Sequence, residues 1–259
     1  MRARSGLEGF YERLLGWQIR HVPLHIAIIQ DGNRRFARLQ GMETGEGHRA
    51  GADTTEQVLD WAHEMGVKYI TLYSFSTENF RRDSAEVEGL FSLFKERFSK
   101  IICDERVHSR RIRVRVLGDR ALLPPDLLER VEAAEEATRA YGNYFLNIAI
   151  AYGGRNEIVH AARSILRSVR DGSIAPGEID PALVERHLCD GKSLPPVDLI
   201  IRTGNERRTS NFLPWLANGK ESAVYFCAPH WPAFRKIDLL RALRLYDQRM
   251  REKEPPGPV

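Results

Sequence analysis

The stretch His25-Ile-Ala-Ile-Ile-Gln-Asp31-Gly-Asn-Arg34-Arg35 predicts a central strand of the fold and a candidate site after it. Its apolar, β-branched run is typical of a buried strand. Asp31 then follows at the carboxyl end of the strand, where open α/β sheets bind their ligands. Gly32 permits a tight turn beside a ligand, and the two arginines match phosphate oxygens. A carboxylate that can bind a divalent metal, beside arginines that can bind phosphate, indicates a diphosphate site. The alternative interpretation is a strand followed by a turn and by the solvated, basic start of a helix.

The composition is that of a globular protein with one large domain or two small ones. The chain has 259 residues, of which 42% are hydrophobic, enough for a core. No apolar run approaches the roughly 20 residues that span a bilayer, and the N-terminus has no apolar region of a secretory signal. Cys103, Cys189 and Cys227 lack the spacing of a zinc site or a disulfide framework. A cytoplasmic location is therefore expected.

The net charge of +4 rests on arginine, with 32 Arg against 7 Lys. Such an excess suits nucleic acid, an anionic membrane surface or a phosphate-bearing substrate. No nucleic-acid-binding motif occurs, and acidic residues are interspersed. The basic cluster at residues 110–115 is explained equally well by an exposed strand edge. Charge alone therefore does not select the partner.

Strand-like and helix-like segments alternate along the chain, which predicts a single α/β domain with a six-stranded, mostly parallel sheet flanked by helices. The predicted strands cover residues 25–30, 69–75, 112–117, 144–151, 197–202 and 223–227. The predicted helices cover residues 47–65, 84–105, 124–141, 156–170, 181–188 and 236–250. Residues 1–22 are expected to form a helical N-terminal extension, and residues 252–259 a flexible tail.

Polar segments follow two further predicted strands. Residues 76–82 (Ser-Thr-Glu-Asn-Phe-Arg-Arg) come after the second strand, and residues 202–210 add three arginines and a serine after the fifth. A second carboxylate, Glu221, precedes the sixth strand. Because a parallel sheet gathers the carboxyl ends of its strands into one cleft, these groups together indicate an anionic-substrate site with a metal.

Together these motifs resemble the cis-prenyltransferases of the undecaprenyl diphosphate synthase family. The matching segments are residues 25–38, 47–51, 71–82, 147–156, 196–204, 210–212 and 231–232. They occur in family order over about residues 24 to 250, which is far more specific than any single motif. The resemblance implies that residues 23–251 form the catalytic domain, a transferase with Mg²⁺ as its cofactor.

The implied reaction condenses several isopentenyl diphosphates onto an allylic diphosphate primer, geranylgeranyl or farnesyl diphosphate. The product is a long-chain Z-polyprenyl diphosphate such as undecaprenyl diphosphate, the precursor of a glycosyl carrier lipid. A shorter-chain synthase of the same family is the alternative. A non-catalytic partner subunit is disfavoured, because such subunits lose the Asp-Gly-Asn-Arg segment that begins here at Asp31. The resemblance also implies a homodimer, and a lipid product is compatible with peripheral contact with the membrane.

The resemblance implies roles for particular residues. The catalytic residues are Asp31 and Asn79, and the metal ligands are Asp31 and Glu221. The allylic diphosphate site comprises Gly32, Asn33, Arg34, Arg35, Phe36, His48, Ser76, Thr77, Glu78, Phe80 and Arg82. The isopentenyl diphosphate site comprises Arg202, Arg208, Thr209 and Ser210. An apolar product tunnel is implied along the helix at residues 84–105, with Leu90, Phe91 and Phe94 in its lining, although core packing of an amphipathic helix explains most such residues.

The chain departs from the common bacterial pattern at several positions. Residues 42–44 (Met-Glu-Thr) stand where bacterial relatives usually carry an arginine, and Arg207 stands where they often have histidine. The C-terminal Arg-x-Gly of many relatives is absent after Met250. The pair Arg34-Arg35 is typical of archaeal and eukaryotic members, and the amphipathic segment at residues 10–20 resembles that of archaeal members. This resemblance favours geranylgeranyl diphosphate as the primer.

Overall fold

The computed structural model describes residues 6–192, 194–217 and 222–254. Its strands are β1 (His25–Ile29), β2 (Tyr69–Ser76), β3 (Ile112–Leu117), β4 (Tyr144–Tyr152), β5 (Leu199–Arg202) and β6 (Ala223–Phe226). Its α-helices are α1 (Gly6–Gln18), α2 (Asn33–Gln40), α3 (Thr44–Glu64), α4 (Ser84–Ile101), α5 (Glu105–Ser109), α6 (Pro125–Ala137), α7 (Gly154–Arg170), α8 (Pro181–His187) and α9 (Lys236–Lys253).

The six strands form one sheet in the order β3-β4-β2-β1-β5-β6, and each neighbouring pair is parallel. The opening stretch supplies a central strand: Ala27 lies opposite Thr71 of β2 on one side and Ile200 of β5 on the other. A strand that is buried on both faces has a nearly continuous apolar sequence, and this is why the sequence of β1 predicted a buried strand. The predicted single α/β domain with a parallel sheet is confirmed.

Alternate residues of β1 supply the cores on the two faces of the sheet. Ile26 and Ile28 pack in a cluster with buried residues of α3 and α9, among them Val58 and Leu243. Ala27 belongs to the opposite cluster, which includes residues of α7 and the loop after α8. A third cluster joins the far strands of the sheet to α4 and α6. The segments that follow β1, β2 and β5 meet at the carboxyl edge of the central strands, where their residues line one cavity.

Several predicted boundaries differ from the structure. The helix predicted over residues 84–105 ends at Ile101, and α5 starts separately because Asp104 accepts a hydrogen bond from the backbone N of Arg106 at 2.9 Å. The short helix α2 was not among the predicted helices. Helix α9 continues to Lys253, so the predicted tail at 252–259 starts in a helix, while residues 255–259 lie outside the described residues.

The predicted N-terminal extension contains helix α1, which packs on α9 through the buried side chain of Leu15. The other side of α1 carries Phe10 and Trp17, which are 61% and 86% exposed. Within the described residues, no helix is long and apolar enough to cross a bilayer.

Candidate active site

The turn after β1 brings a helix N-terminus to the carboxyl edge of the sheet. Gly32 adopts φ +114°, a conformation that favours glycine, and forms the N-cap of α2. A Cβ on Gly32 would lie 2.9 Å from the Cα of His230, so the backbone of another loop passes against this turn. Gly32 supplies no side-chain cap for the first backbone N–H groups of α2, and residues 32–35 line the cleft. Such a terminus is suited to an anion.

Asp31 lies between two arginines. Arg202 donates from Nη2 to Asp31 Oδ2 at 2.8 Å, and Arg35 donates from Nη2 to Asp31 Oδ1 at 3.0 Å. The Asp31 backbone is fixed by Thr203, whose hydroxyl donates to the Asp31 carbonyl at 2.6 Å. The Asp31 side chain remains 28% exposed toward the cleft.

Arg202 connects this carboxylate to the loop that follows β5. Its side chain is only 5% exposed, and its Nη1 donates to Ser210 Oγ at 2.7 Å and to the Arg208 carbonyl at 2.6 Å. The Arg208 side chain extends outward and pairs with Glu206, which also faces Arg35. The two phosphate-binding segments predicted at residues 31–35 and 202–210 are therefore in direct contact.

A second cationic group surrounds Glu86, at the start of α4. His48 Nε2 lies 3.1 Å from Glu86 Oε1, and Arg82 donates to the same oxygen at 2.9 Å. Arg34 Nε lies 3.7 Å from the other carboxylate oxygen. Burial lowers the pKa of His48, although the hydrogen bond with Glu86 acts to raise it. Burial also lowers the pKa of Arg82, against the effect of Glu86. One carboxylate thus holds three basic side chains beside the cleft.

The segment after β2 forms a 3₁₀ turn (Thr77–Arg81) with a reciprocal cap. Asn79 Oδ1 accepts a hydrogen bond from the backbone N of Ser76 at 3.0 Å. The carbonyl oxygen of this amide is therefore engaged, and its other polar group is the NH2 donor. Glu78 accepts from Asn211 Nδ2 at 3.2 Å. Partial burial acts to raise the pKa of Glu78, but hydrogen bonds from its own backbone N–H and from Ser76, Asn211 and Thr77 lower this pKa overall.

A cavity of about 1280 Å³ joins these groups to an apolar region. At the carboxyl edge of the sheet it is lined by Asp31, Arg35, Arg202 and other polar residues. Between α3, α4 and the sheet, part of its lining is apolar and part is charged. The apolar lining includes Leu59, Leu72, Leu90, Leu93, Phe94, Phe98, Leu146 and Ile148. A charged head and an apolar chain can therefore share one continuous space.

Most of the residues predicted for the site line this cavity. They are Asp31, Gly32, Asn33, Arg34, Arg35, His48, Ser76, Glu78, Asn79, Arg82, Leu90, Phe94, Arg202, Arg208 and Ser210. Phe36, Thr77, Phe80, Phe91 and Thr209 do not line it. Phe91 is buried and packs with Phe80 against Phe75 in the third core cluster. Glu221, predicted as the second metal ligand, lies outside the described residues.

Sequence reasoning missed several side chains of the site. Arg155 lines the cavity at the start of α7. Arg155 follows two glycines just after the end of β4. Arg34 and Arg35 were predicted from a similar pattern, a glycine and then arginines just after the end of β1. Glu86 had no distinguishing signal, because an acidic residue in the first turn of a helix is explained by the helix dipole alone.

The donor set at Asp31 is compatible with Mg²⁺. The described residues contain no group of three or more His, Cys, Asp or Glu side chains that could hold a metal. Mg²⁺ is, however, usually bound through one or two carboxylates together with substrate phosphates, and rarely in an all-protein cage. A partly exposed aspartate at the mouth of an arginine-lined cavity fits that mode.

Comparison with known proteins gives the family. Residues 29–254 match the family model described as "Putative undecaprenyl diphosphate synthase". This chain belongs to the undecaprenyl diphosphate synthase family. The resemblance seen in the sequence motifs is thereby confirmed, and the chain is a prenyltransferase.

Similar members of the undecaprenyl diphosphate synthase family include archaeal proteins. The Methanosarcina mazei protein is 50% identical over 248 residues, covering 94% of this chain and 83% of its own. The Archaeoglobus fulgidus protein is 51% identical over 228 residues, covering 88% of this chain and 90% of its own. Both are called tritrans,polycis-undecaprenyl-diphosphate synthase (geranylgeranyl-diphosphate specific).

The fold is also similar to that of a solved prenyl diphosphate synthase. The crystal structure of lavandulyl diphosphate synthase from Lavandula x intermedia, in complex with dimethylallyl diphosphate, is similar with a TM-score of 0.82. It is 35% identical in sequence, and the similarity covers 87% of this chain and 95% of the lavender chain.

Proposed function

We propose that the protein is a Mg²⁺-dependent cis-prenyltransferase that adds several isopentenyl diphosphates to geranylgeranyl diphosphate. The product is a long-chain Z-polyprenyl diphosphate of the undecaprenyl type. One observation carries the proposal: a single cavity joins the arginine-lined edge around Asp31 to the apolar space between α3 and α4. The names of the archaeal relatives support this primer over farnesyl diphosphate.

The allylic diphosphate binds, in this proposal, at the N-terminus of α2. Backbone N–H groups of its uncapped first turn and the side chains of Arg34 and Arg35 face the phosphates. His48 and Arg82 lie on the adjacent wall of the cavity, held by Glu86. Arginine forks match phosphate oxygens in pairs, so this wall binds and orients the primer. Three residues of the predicted allylic diphosphate site do not line the cavity: Phe36, Thr77 and Phe80. In this proposal they affect primer binding only by supporting neighbouring residues that line it.

Isopentenyl diphosphate binds on the other side of Asp31, at Arg202, Arg208 and Ser210. The buried Arg202 guanidinium already contacts Ser210 Oγ and the backbone of Arg208, so the three groups form one cradle. Thr209 lies between them in sequence and is proposed as a backbone contact. Two diphosphates side by side carry many negative charges, and this density of arginine offsets their mutual repulsion.

Asp31 is the proposed ligand that holds Mg²⁺, with Glu221 as the second. When bound, Mg²⁺ neutralises charge on the departing diphosphate. Mg²⁺ would be held by the lone pairs of the Asp31 oxygens that Arg35 and Arg202 do not use. The remaining N–H groups of these two arginines would bind phosphate oxygens of the substrates.

The reaction breaks the allylic C–O bond, and the electron pair stays on the diphosphate, where arginines stabilise the charge. The π electrons of isopentenyl diphosphate form the new C–C bond to the allylic carbon. A proton then leaves the neighbouring carbon, and the new double bond forms. Asn79 is not a base, and its oxygen is engaged by the Ser76 backbone, so we assign it the positioning of substrate through its NH2 group. An oxygen of the released diphosphate accepts the proton.

The growing chain extends from this centre into the apolar part of the cavity as a product tunnel. Leu90 and Phe94 of α4 contact the chain in this proposal, and Phe91 supports the wall from the core behind it. Hydrocarbon binding there is driven by removing apolar surface from water. Residues 1–22 are proposed as an accessory extension, and the enzyme as a cytoplasmic homodimer with peripheral contact with the membrane that receives the lipid.

The experiment incubates the purified protein with radiolabelled isopentenyl diphosphate, Mg²⁺ and geranylgeranyl, farnesyl or dimethylallyl diphosphate in turn. The amount of label extracted into an organic phase measures the activity with each primer, and chromatography of the labelled products gives their chain length. We expect the longest and most abundant products with geranylgeranyl diphosphate. A single short product from dimethylallyl diphosphate would favour the shorter-chain alternative instead.

A further inference from the structure

Two of the arginines that line the cavity, Arg38 and Arg155, have side chains without a hydrogen bond or ion pair among the residues that the structure describes. Every other arginine of the lining forms an ion pair with a carboxylate. An unpaired guanidinium can bind a phosphate oxygen without first breaking an ion pair. Arg38 lies one turn after Arg34 on α2, on the side of the proposed primer site, whereas Arg155 lies at the start of α7.

The backbone of Arg155 is fixed to the loop that carries the proposed isopentenyl diphosphate cradle. Asn211, the residue after Ser210 of that cradle, accepts hydrogen bonds from two backbone N–H groups at the start of α7. Its carbonyl accepts from Gly154 N at 2.8 Å, and its Oδ1 accepts from Arg155 N at 2.9 Å. The loop after β5 thus caps α7 and holds Arg155 beside the residue that follows Ser210.

Two glycines before Arg155 allow this close approach. A Cβ on Gly154 would collide with the ring of Pro214, and a Cβ on Gly153 would lie 3.0 Å from Asn211 Nδ2. The chain after β4 therefore packs directly against residues 211–214, with no room for a larger side chain between them. The position of Arg155 relative to the loop after β5 is set by packing as well as by hydrogen bonds.

The carboxylate closest in this network is already engaged by other groups. Glu78 accepts hydrogen bonds from Asn211 Nδ2 at 3.2 Å and from Thr77 Oγ1 at 3.4 Å. Its partners are neutral donors, and it forms no ion pair with Arg155. The positive charge of Arg155 is therefore left for an anion that enters the cavity from solution.

We propose that Arg155 is a further residue of the isopentenyl diphosphate site, where its guanidinium binds a phosphate oxygen beside Arg202 and Arg208. This inference rests on the proposed function. Arg202 and Arg208 are paired with Asp31 and Glu206, so their charges are partly neutralised before substrate binds. Arg155 supplies the positive charge that these two pairs do not.

The chemistry of the reaction predicts which kinetic constant depends on Arg155. The diphosphate of isopentenyl diphosphate stays attached to its carbon throughout the condensation, and its charge is the same in the ground state and in the transition state. A contact with this group stabilises both states equally. Such uniform binding lowers KM and leaves kcat unchanged.

The test measures steady-state kinetics of Arg155→Gln, first with ¹⁴C-labelled isopentenyl diphosphate varied at saturating geranylgeranyl diphosphate, then with the primer varied. Arg155→Lys restores the positive charge, and Arg155→Met is a second neutral variant in case Arg155→Gln does not fold. The matched control is Arg163→Gln, the same change at an exposed residue of α7 that does not line the cavity. Circular dichroism melting checks the folding of every variant.

We expect Arg155→Gln to raise KM for isopentenyl diphosphate about fivefold, with kcat and KM for the primer within twofold of the intact protein. The effect is modest because Arg155 is exposed, and solvent screens its charge. Arg155→Lys should keep KM for isopentenyl diphosphate within twofold, because a lysine still brings a positive charge. Arg163→Gln should leave all three constants within twofold.

A KM for isopentenyl diphosphate within twofold of the intact value in the folded neutral variants would overturn the inference. An equal rise in both KM values, or the same rise in Arg163→Gln or in Arg155→Lys, would overturn it as well. These outcomes leave the proposed function standing, since they require condensation by the intact protein. Absence of any labelled prenyl product from the intact protein would instead overturn the proposed function, and the inference with it.

Discussion

Arg202 Nη2 lies 2.8 Å from Asp31 Oδ2 and makes the main link between the two halves of the site. The same guanidinium holds Ser210 and the backbone of Arg208, so one buried side chain joins the end of β1 to the loop after β5. The aspartate that we propose for metal binding and the arginine that we propose for isopentenyl diphosphate are thus neighbours before any substrate arrives.

Asp31→Asn should reduce kcat/KM for condensation by roughly 10²–10³-fold, the range found when one electrostatic group of a catalytic site is removed. The fold should persist, because the side chain is 28% exposed and Asn keeps its size. Initial rates with labelled isopentenyl diphosphate and a melting curve check both points. A folded variant with normal turnover would contradict the role of Asp31.

Arg202→Lys tests the cradle separately. A lysine is a point charge and cannot bridge Asp31, Ser210 and the Arg208 carbonyl at once. We expect KM for isopentenyl diphosphate to rise at least about tenfold, with a much smaller change in KM for the primer, since one charge-assisted contact is worth roughly 1.5–3 kcal/mol. Equal effects on the two KM values would argue against separate subsites.

Glu86→Gln removes the carboxylate that holds His48, Arg82 and Arg34. Without it the three basic groups lose their common anchor, and we expect KM for the allylic primer to rise about five- to tenfold, equivalent to roughly 1–1.4 kcal/mol. Glu88→Gln is the matched control, because Glu88 is exposed on the same helix. Steady-state kinetics with the primer varied distinguishes the two, and similar values for both variants would count against a positioning role for Glu86.

The sequence predicted the parts of this site that depend on strands and turns. The apolar run of β1 located Asp31, and the pattern of alternating elements placed residues 76–82 and 202–210 at the same edge of the sheet. Helix α2 was not predicted, because its few apolar residues lie among arginines and its amphipathic periodicity is weak.

Phe91 was predicted to line the tunnel together with Leu90. Successive residues of a helix point 100° apart, and only the packing of α4 decides which of the two side chains faces the cavity. The ion pairs of Glu56 and Asp60 in α3 could not be predicted from the sequence, because their partners come from α4 and from α5 and the residue after it, which only the tertiary fold brings together.

Gly32→Ala should destabilise the turn that aims α2 at the primer. Its φ of +114° suits glycine, and an added Cβ would collide with the backbone of His230 at 2.9 Å. Gly41→Ala is a matched control at the other end of α2, with φ +66° and nothing within 4 Å of the added Cβ. The control should cost about 1–2 kcal/mol of unfolding free energy, the strain of a left-handed conformation, and Gly32→Ala should cost clearly more. Urea unfolding measures the free energy of unfolding of both variants. Equal losses would show that the loop at His230 can move away from the added Cβ at little cost.

Buried histidine predicts how stability depends on pH. His25 is fully buried, and this burial lowers its pKa below 6.5, although hydrogen bonds and Asp198 act to raise it. Below about pH 6.5 the unfolded chain therefore binds a proton that the folded protein resists, and the free energy of unfolding falls as the pH drops, by at most about 1.4 kcal/mol per pH unit for each such group. Urea midpoints between pH 7.5 and 5 test this. His25→Gln should flatten the slope, and an unchanged slope in that variant would assign the effect to other groups.

Cis condensation onto geranylgeranyl diphosphate gives new double bonds of Z geometry, which can be measured in the product. The protein would be incubated with ¹³C-labelled isopentenyl diphosphate, geranylgeranyl diphosphate and Mg²⁺, and the purified product examined by NMR. We expect a long chain in which every newly formed trisubstituted double bond is Z. New double bonds of E geometry, or no incorporation of label with this primer, would contradict it.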